Sequence, residues 1–176
     1  MPRFAPILSA LLVPLILAAC STFSAEDNRK CPQIRIDRAT ASLVQFRPGP
    51  GKDITDIVME GEVAGYGGEC VYDDEGVEVT LSPQFGVFIG PASVNRTASF
   101  SYFIAIPAFF PDPGAKQIFN ASVTLPANIS RGEFVGEQVT INIPLDPNRS
   151  AENMEIFLGF QLTAEQLQHN RTRSVR

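Results

Sequence analysis

No tryptophan occurs in this chain, histidine occurs once (His169), and cysteine occurs three times (Cys20, Cys31 and Cys70). Zinc sites are tetrahedral and draw on several Cys, His or carboxylate ligands, so one histidine and scattered cysteines supply too few. A Ser-His-Asp or Cys-His arrangement would need His169 held against a nucleophile by surrounding packing. His169 instead falls near the C-terminus, in a segment expected to be exposed and to fray. Neither a nucleophile-elbow motif nor HExxH is present. Basic residues are also scarce, 14 against 19 acidic ones for a net charge of −5. The basic stripe that nucleic acid requires is absent, so that partner class is excluded. No long stretch carries a 3.6-residue apolar period, which argues against crossover helices and a parallel sheet. These absences leave no expected cofactor, no metal and no visible catalytic constellation.

What is present begins at the N-terminus. Residues Phe4 to Leu17 carry no charge and follow a lone Arg3. The run is shorter than the roughly 20 apolar residues of a membrane-spanning helix. It suits a secretory h-region of about 7–15 residues followed by small residues. Pro6 and Pro14 further disfavour a stable spanning helix, because each removes a backbone donor. Residues 1–19 are therefore expected to be a signal peptide.

The run ends on Leu17-Ala18-Ala19-Cys20, which resembles the lipobox of bacterial lipoprotein precursors. The resemblance implies cleavage before Cys20 and acylation of its thiol and its new amine. Each buried methylene contributes about 0.8 kcal/mol, so two or three long chains on one residue hold without release. Ser21 follows where an aspartate would retain a lipoprotein in the inner membrane of many Gram-negative bacteria. The resemblance thus implies the outer membrane, with a periplasm-facing leaflet favoured. Short stretches of the body, "FRPGPGKDITD", "GEC" and "GFQLT", also resemble uncharacterised lipoproteins of Gram-negative bacteria. Residues 20–30 then read as the lipidated cysteine and a tether, and residues 31–176 as one domain with a short tail. Removing residues 1–19 deletes one arginine and leaves 157 residues at −6. That length suits a single core.

With Cys20 assigned to the anchor, Cys31 and Cys70 remain. An oxidising compartment pairs them as a disulfide. On the chain-entropy model a bridge closing about 40 residues stabilises by roughly 4 kcal/mol. From Cys31 onward apolar residues alternate with period two in eight stretches. Ile57, Met59 and Val63 alternate against Glu60 and Glu62. Val77, Val79 and Leu81 form another row, and Phe100, Tyr102, Ile104 and Ile106 a third. Short strands at regular spacing predict an all-β fold, a single antiparallel β-sandwich of immunoglobulin-like type with about eight strands. Only the end reads helical, with Thr163 and Gln166 at capping-box spacing before a helix to about Asn170.

Three features bear on function. Nine carboxylates fall between Asp53 and Glu78 against Lys52 alone, a solvated acidic face that could hold a cation or steer a basic partner. The loop Pro107–Gly114 sets Phe109 and Phe110 between prolines that prevent ordinary sheet pairing, so this pair is the candidate partner-binding site. Arg171, Arg173 and Arg176 make a small basic tail. The expected function is an outer-membrane-anchored, non-catalytic binding or structural module whose partners are the membrane, through its lipid, and an envelope protein or cell-wall component. An enzyme inhibitor or assembly factor docking through the Pro107–Gly114 loop is the alternative. A hydrolase using Glu60 or Glu62 is a further one.

Overall fold

In the computed structural model, which describes residues 28–146 and 148–173, the chain is a sandwich of two β-sheets. The expected signal peptide over residues 1–19, the expected lipidation site Cys20 and the tail residue Arg176 lie outside the described residues. The strands are β1 (Gln33–Ile36), β2 (Ser42–Phe46), β3 (Ile57–Tyr72), β4 (Gly76–Ile89), β5 (Thr97–Ala105), β6 (Lys116–Thr124), β7 (Arg131–Val135), β8 (Val139–Pro144) and β9 (Glu155–Phe160). Among the described residues one α-helix follows, α1 (Ala164–Arg173). One sheet runs β1-β9-β5-β6 and the other β2-β3-β4-β7, with β8 also paired to β4. Every pairing is antiparallel except that of β1 with β9, the one departure from the all-antiparallel expectation among the described residues.

The period-two rows become the core. Met59, Val79, Leu81, Phe85, Tyr102, Ile143, Ile156, Leu158 and Phe160 are almost wholly buried between the sheets. Phe85 of β4 is the centre of a ring cluster, 5.1 Å from Phe100, 5.0 Å from Tyr102, 5.4 Å from Phe134 and 5.7 Å from Phe160 between centroids. Edge-to-face and tilted pairs of this kind contribute roughly 0.5–1.5 kcal/mol each beyond the area they bury.

Two strands are longer than the alternation indicates. β3 and β4 form one hairpin of 16 and 14 residues. Its tip is the expected Asp73–Gly76 turn: Asp73 Oδ1 accepts from the amides of Glu75 and Gly76, and Gly76 takes φ +153°. Further along β4, Pro83 lies mid-strand and has no N–H for the neighbouring ladder. There the partner strand breaks into β7 and β8 around Gly136, whose amide donates to the Pro83 carbonyl. β7 is a ninth strand that the alternation does not single out.

Cys31 and Cys70 are bonded, with Cα atoms 5.8 Å apart. The bridge ties the chain entering β1 in one sheet to β3 in the other. Beside it the Tyr72 hydroxyl donates to the Lys30 carbonyl and accepts from the Ala151 amide, both at 2.7 Å. Arg29 covers the Tyr72 ring at 4.0 Å and Lys30 pairs with Glu152, so the segment before Cys31 rests on the sandwich.

Burial, and secondarily the Glu137 carboxylate, raises the Tyr102 phenol above its ordinary value of 10.0. A phenol that ionises less readily folded than unfolded leaves stability intact below pH 10.0 and lowers it as pH rises through the folded value. Denaturant titrations across alkaline pH should show a steeper loss of stability in wild type than in Tyr102→Phe. Equal slopes would contradict this assignment.

Candidate binding groove

The outward face of the β2-β3-β4-β7 sheet carries a groove of about 680 Å³. Sheet register assembles it from four strands. Ser42, Glu62, Gly86 and Glu133 lie side by side in one row. Val44, Glu60, Phe88 and Arg131 form the next. Alternation makes these the outward residues, because their neighbours Met59, Phe85 and Val87 point into the core.

Gly86 shapes the floor. A Cβ there would stand 2.8 Å from Glu62 Oε1, so the missing side chain leaves the space over which the Glu62 carboxylate lies. Glu133 flanks Gly86 from the other side. In the second row the Arg131 guanidinium sits 4.8 Å above the Phe88 ring, within cation–π range. The groove thus offers carboxylates, a guanidinium resting on an aromatic face, and Arg38 at its margin.

One wall is supplied by α1, which is docked and not the exposed, fraying segment expected from its position. Thr163 and Gln166 form the expected reciprocal cap, with the Thr163 amide donating to Gln166 Oε1 and the Gln166 amide to Thr163 Oγ1. The helix runs beyond Asn170 to Arg173. Asn170, 7% exposed, donates its side-chain amide to the carbonyls of Ala39 (3.1 Å) and Ser42 (2.7 Å). His169 packs edge-on against Phe46 at 5.7 Å, a packing role. Lys52 completes the contact, 5.1 Å from the Phe46 ring and 2.8 Å from Glu165. Hydrogen bonding and charge from Lys52 hold the Glu165 carboxyl below the usual range.

The acidic segment divides among separate tasks. Asp53 and Asp56 cap a 3-10 turn over Ile54–Asp56, and the buried Asp56 also pairs with Arg47 at 2.5 Å. Asp73 builds the hairpin turn, while Glu60 and Glu62 face the groove. No group of three or more His, Cys, Asp or Glu among the described residues is disposed to hold a metal ion. The two phenylalanines of the Pro107–Gly114 loop also separate. Phe109 packs against the core, and Phe110 is 80% exposed. This loop follows β5, in the other sheet from the groove, so the structure does not bring the candidate pair together with Glu60 and Glu62. The groove residues Gly86, Phe88, Arg131 and Glu133 do not stand out in the sequence. Their signal is the outward phase of β4 and β7, which has no meaning until those strands are paired.

No protein-family model, curated protein or solved structure matches the chain.

Asn170→Ala would leave the Ala39 carbonyl of the β1–β2 turn and the Ser42 carbonyl at the β2 edge without their donor, a cost of about 1–3 kcal/mol. Hydrogen exchange should then accelerate through Ala164–Arg173 while the core strands keep their protection. Unchanged protection of α1 would show that Asn170 does not hold the wall.

Proposed function

We propose that this protein is a lipid-anchored, non-catalytic binding module of the bacterial cell envelope, held at the outer membrane through acylated Cys20. The groove carries the binding part of this reading. It joins charges of both signs to an aromatic face, on strands fixed by a buried core, and such a surface suits a polar ligand with apolar parts. An envelope protein segment or a cell-wall component has that character. A pre-formed site on rigid strands binds without a large ordering cost.

Export is supported by the Cys31–Cys70 bridge, since structural disulfides persist in oxidising compartments. Anchoring is supported by the Leu17–Cys20 motif and the apolar run before it. The first described residues lie beside the disulfide, and the groove lies in the half of β3 nearer its start, eight residues from Cys70 at Glu62. A tether leaving at the disulfide end would therefore leave the groove open to the periplasm.

Envelope fractionation with intact-mass measurement of wild type and Cys20→Ser tests the anchor. Wild type should partition with the outer membrane and carry a diacylglycerol and a fatty acid on Cys20. Cys20→Ser should remain unprocessed. Soluble, unacylated protein in both cases would overturn the reading.

A further inference from the structure

Among the described residues each sheet has two edges, and three of the four are protected. β1 is four residues long and its Arg35 pairs with Glu155 at 2.6 Å. The outer edge of β2 is covered by α1, whose Asn170 bonds the Ser42 carbonyl. β7 and β8 are short and interrupted at Gly136. Short edges, charges and breaks are the usual means of preventing strand addition.

β6 has none of these. It is nine residues long, pairs in unbroken register, and among the described residues pairs with β5 alone. From Gln117 to Thr124 it contains no charge and no proline. The Leu125 amide donates to Arg96 and the Ala115 carbonyl accepts from Ile106, so odd-numbered residues bond to β5. By alternation, the N–H and C=O groups of Ile118, Asn120, Ser122 and Thr124 face away from the sheet. The sandwich is also unfinished along this side. Phe119, Ala121 and Val123 point inward but are only half-buried, and Ile118 is 55% exposed.

We infer that β6 is a self-association edge that pairs antiparallel with β6 of a second copy about a two-fold axis at Ala121. The four outward-facing residues are symmetric about Ala121. The axis therefore sets Ile118 opposite Thr124 and Asn120 opposite Ser122 of the other copy, giving four hydrogen-bonded pairs and roughly eight bonds. Ala121 meets its own copy in a non-hydrogen-bonded pair, where Cα atoms approach to about 4.5 Å and a small side chain fits. On the inner face Phe119 meets Val123 of the second copy, covering both half-buried rows. On the outer face the pairing continues hydroxyl and amide contacts already made within one copy, Ser99 with Ser122 at 2.9 Å and Ser101 with Asn120 at 2.7 Å. Charge permits the contact. None of the chain's carboxylates lies on β6, and Lys116 is its one charge. The axis holds the two Lys116 residues about ten positions apart, roughly 34 Å along the strand, far beyond the screening length.

The test uses the full chain. Ala121→Cys places two thiols across the axis at a spacing that a disulfide accepts. Under mild oxidation it should yield a species of twice the monomer mass on non-reducing gels. Wild type should not, and neither should Ile54→Cys, which places an exposed thiol beside β2, at the far edge of the other sheet. Asn120→Lys with Ser122→Lys sets four ammonium groups around the axis and should lower the sedimenting mass from dimer to monomer. A cross-link no greater than that of Ile54→Cys, with wild type sedimenting as a monomer, would overturn the proposal. So would an adduct of the Ala121→Cys variant to a different protein in place of a doubled mass, since the edge would then serve another partner.

Discussion

The Phe85 ring, wholly buried on β4, holds the two sheets in their mutual position. It meets Phe100, Tyr102 and Phe160 of the facing sheet and Phe134 of the neighbouring strand. Removing a phenylalanine from such a core typically costs about 3–5 kcal/mol, a large share of a domain's net stability. Its position also sets the phase of β4. With Phe85 and Val87 inward, Gly86 and Phe88 must face out, and register then aligns them with Glu60 and Glu62 on one side and Arg131 and Glu133 on the other. The groove is the outer consequence of the inner packing.

Two constraints support that core from the ends. At one end the Cys31–Cys70 bridge joins the sheets, and the Tyr72 hydroxyl ties Lys30 to Ala151 across them. At the other, Asn170 and the Lys52–Phe46–His169 contact hold α1 against β2. The helix has little apolar character of its own, so these few polar and aromatic contacts determine whether it forms a wall of the groove. A helix of ten residues is marginal in isolation, and docking supplies what propensity does not.

Much of this is legible in the sequence because local physics governs it. Alternation places Ile57, Met59, Val63, Val77, Val79 and Leu81 inward, and all six are buried. The Asp73–Gly76 turn and the Thr163–Gln166 cap are written in residues a few positions apart. The disulfide follows from cysteine number together with the oxidising compartment that the N-terminal motif leads one to expect. What escapes is what depends on distant register. β7 is five residues with a glycine at its second position, too short and weak a pattern to stand out. Glu133 acquires its meaning only when it lies beside Gly86, 47 positions earlier in the chain. The acidic segment looks continuous in sequence, yet capping, turn formation and strand alternation send its members to different places. Asn170 gives no signal at all, because its partners Ala39 and Ser42 offer backbone carbonyls that any residue would present.

If the groove is a binding surface, its face meets a ligand in the cell, and site-specific photo-cross-linking in intact cells reads that contact. The reactive side chain is placed at Glu133 in the groove and, as control, at Val94, which is 99% exposed but on a loop outside it. A discrete adduct is expected from position 133, suppressed by Arg131→Ala, and none from position 94. Equal labelling from the two positions, or labelling from 94 alone, would show that the groove is not where the protein binds.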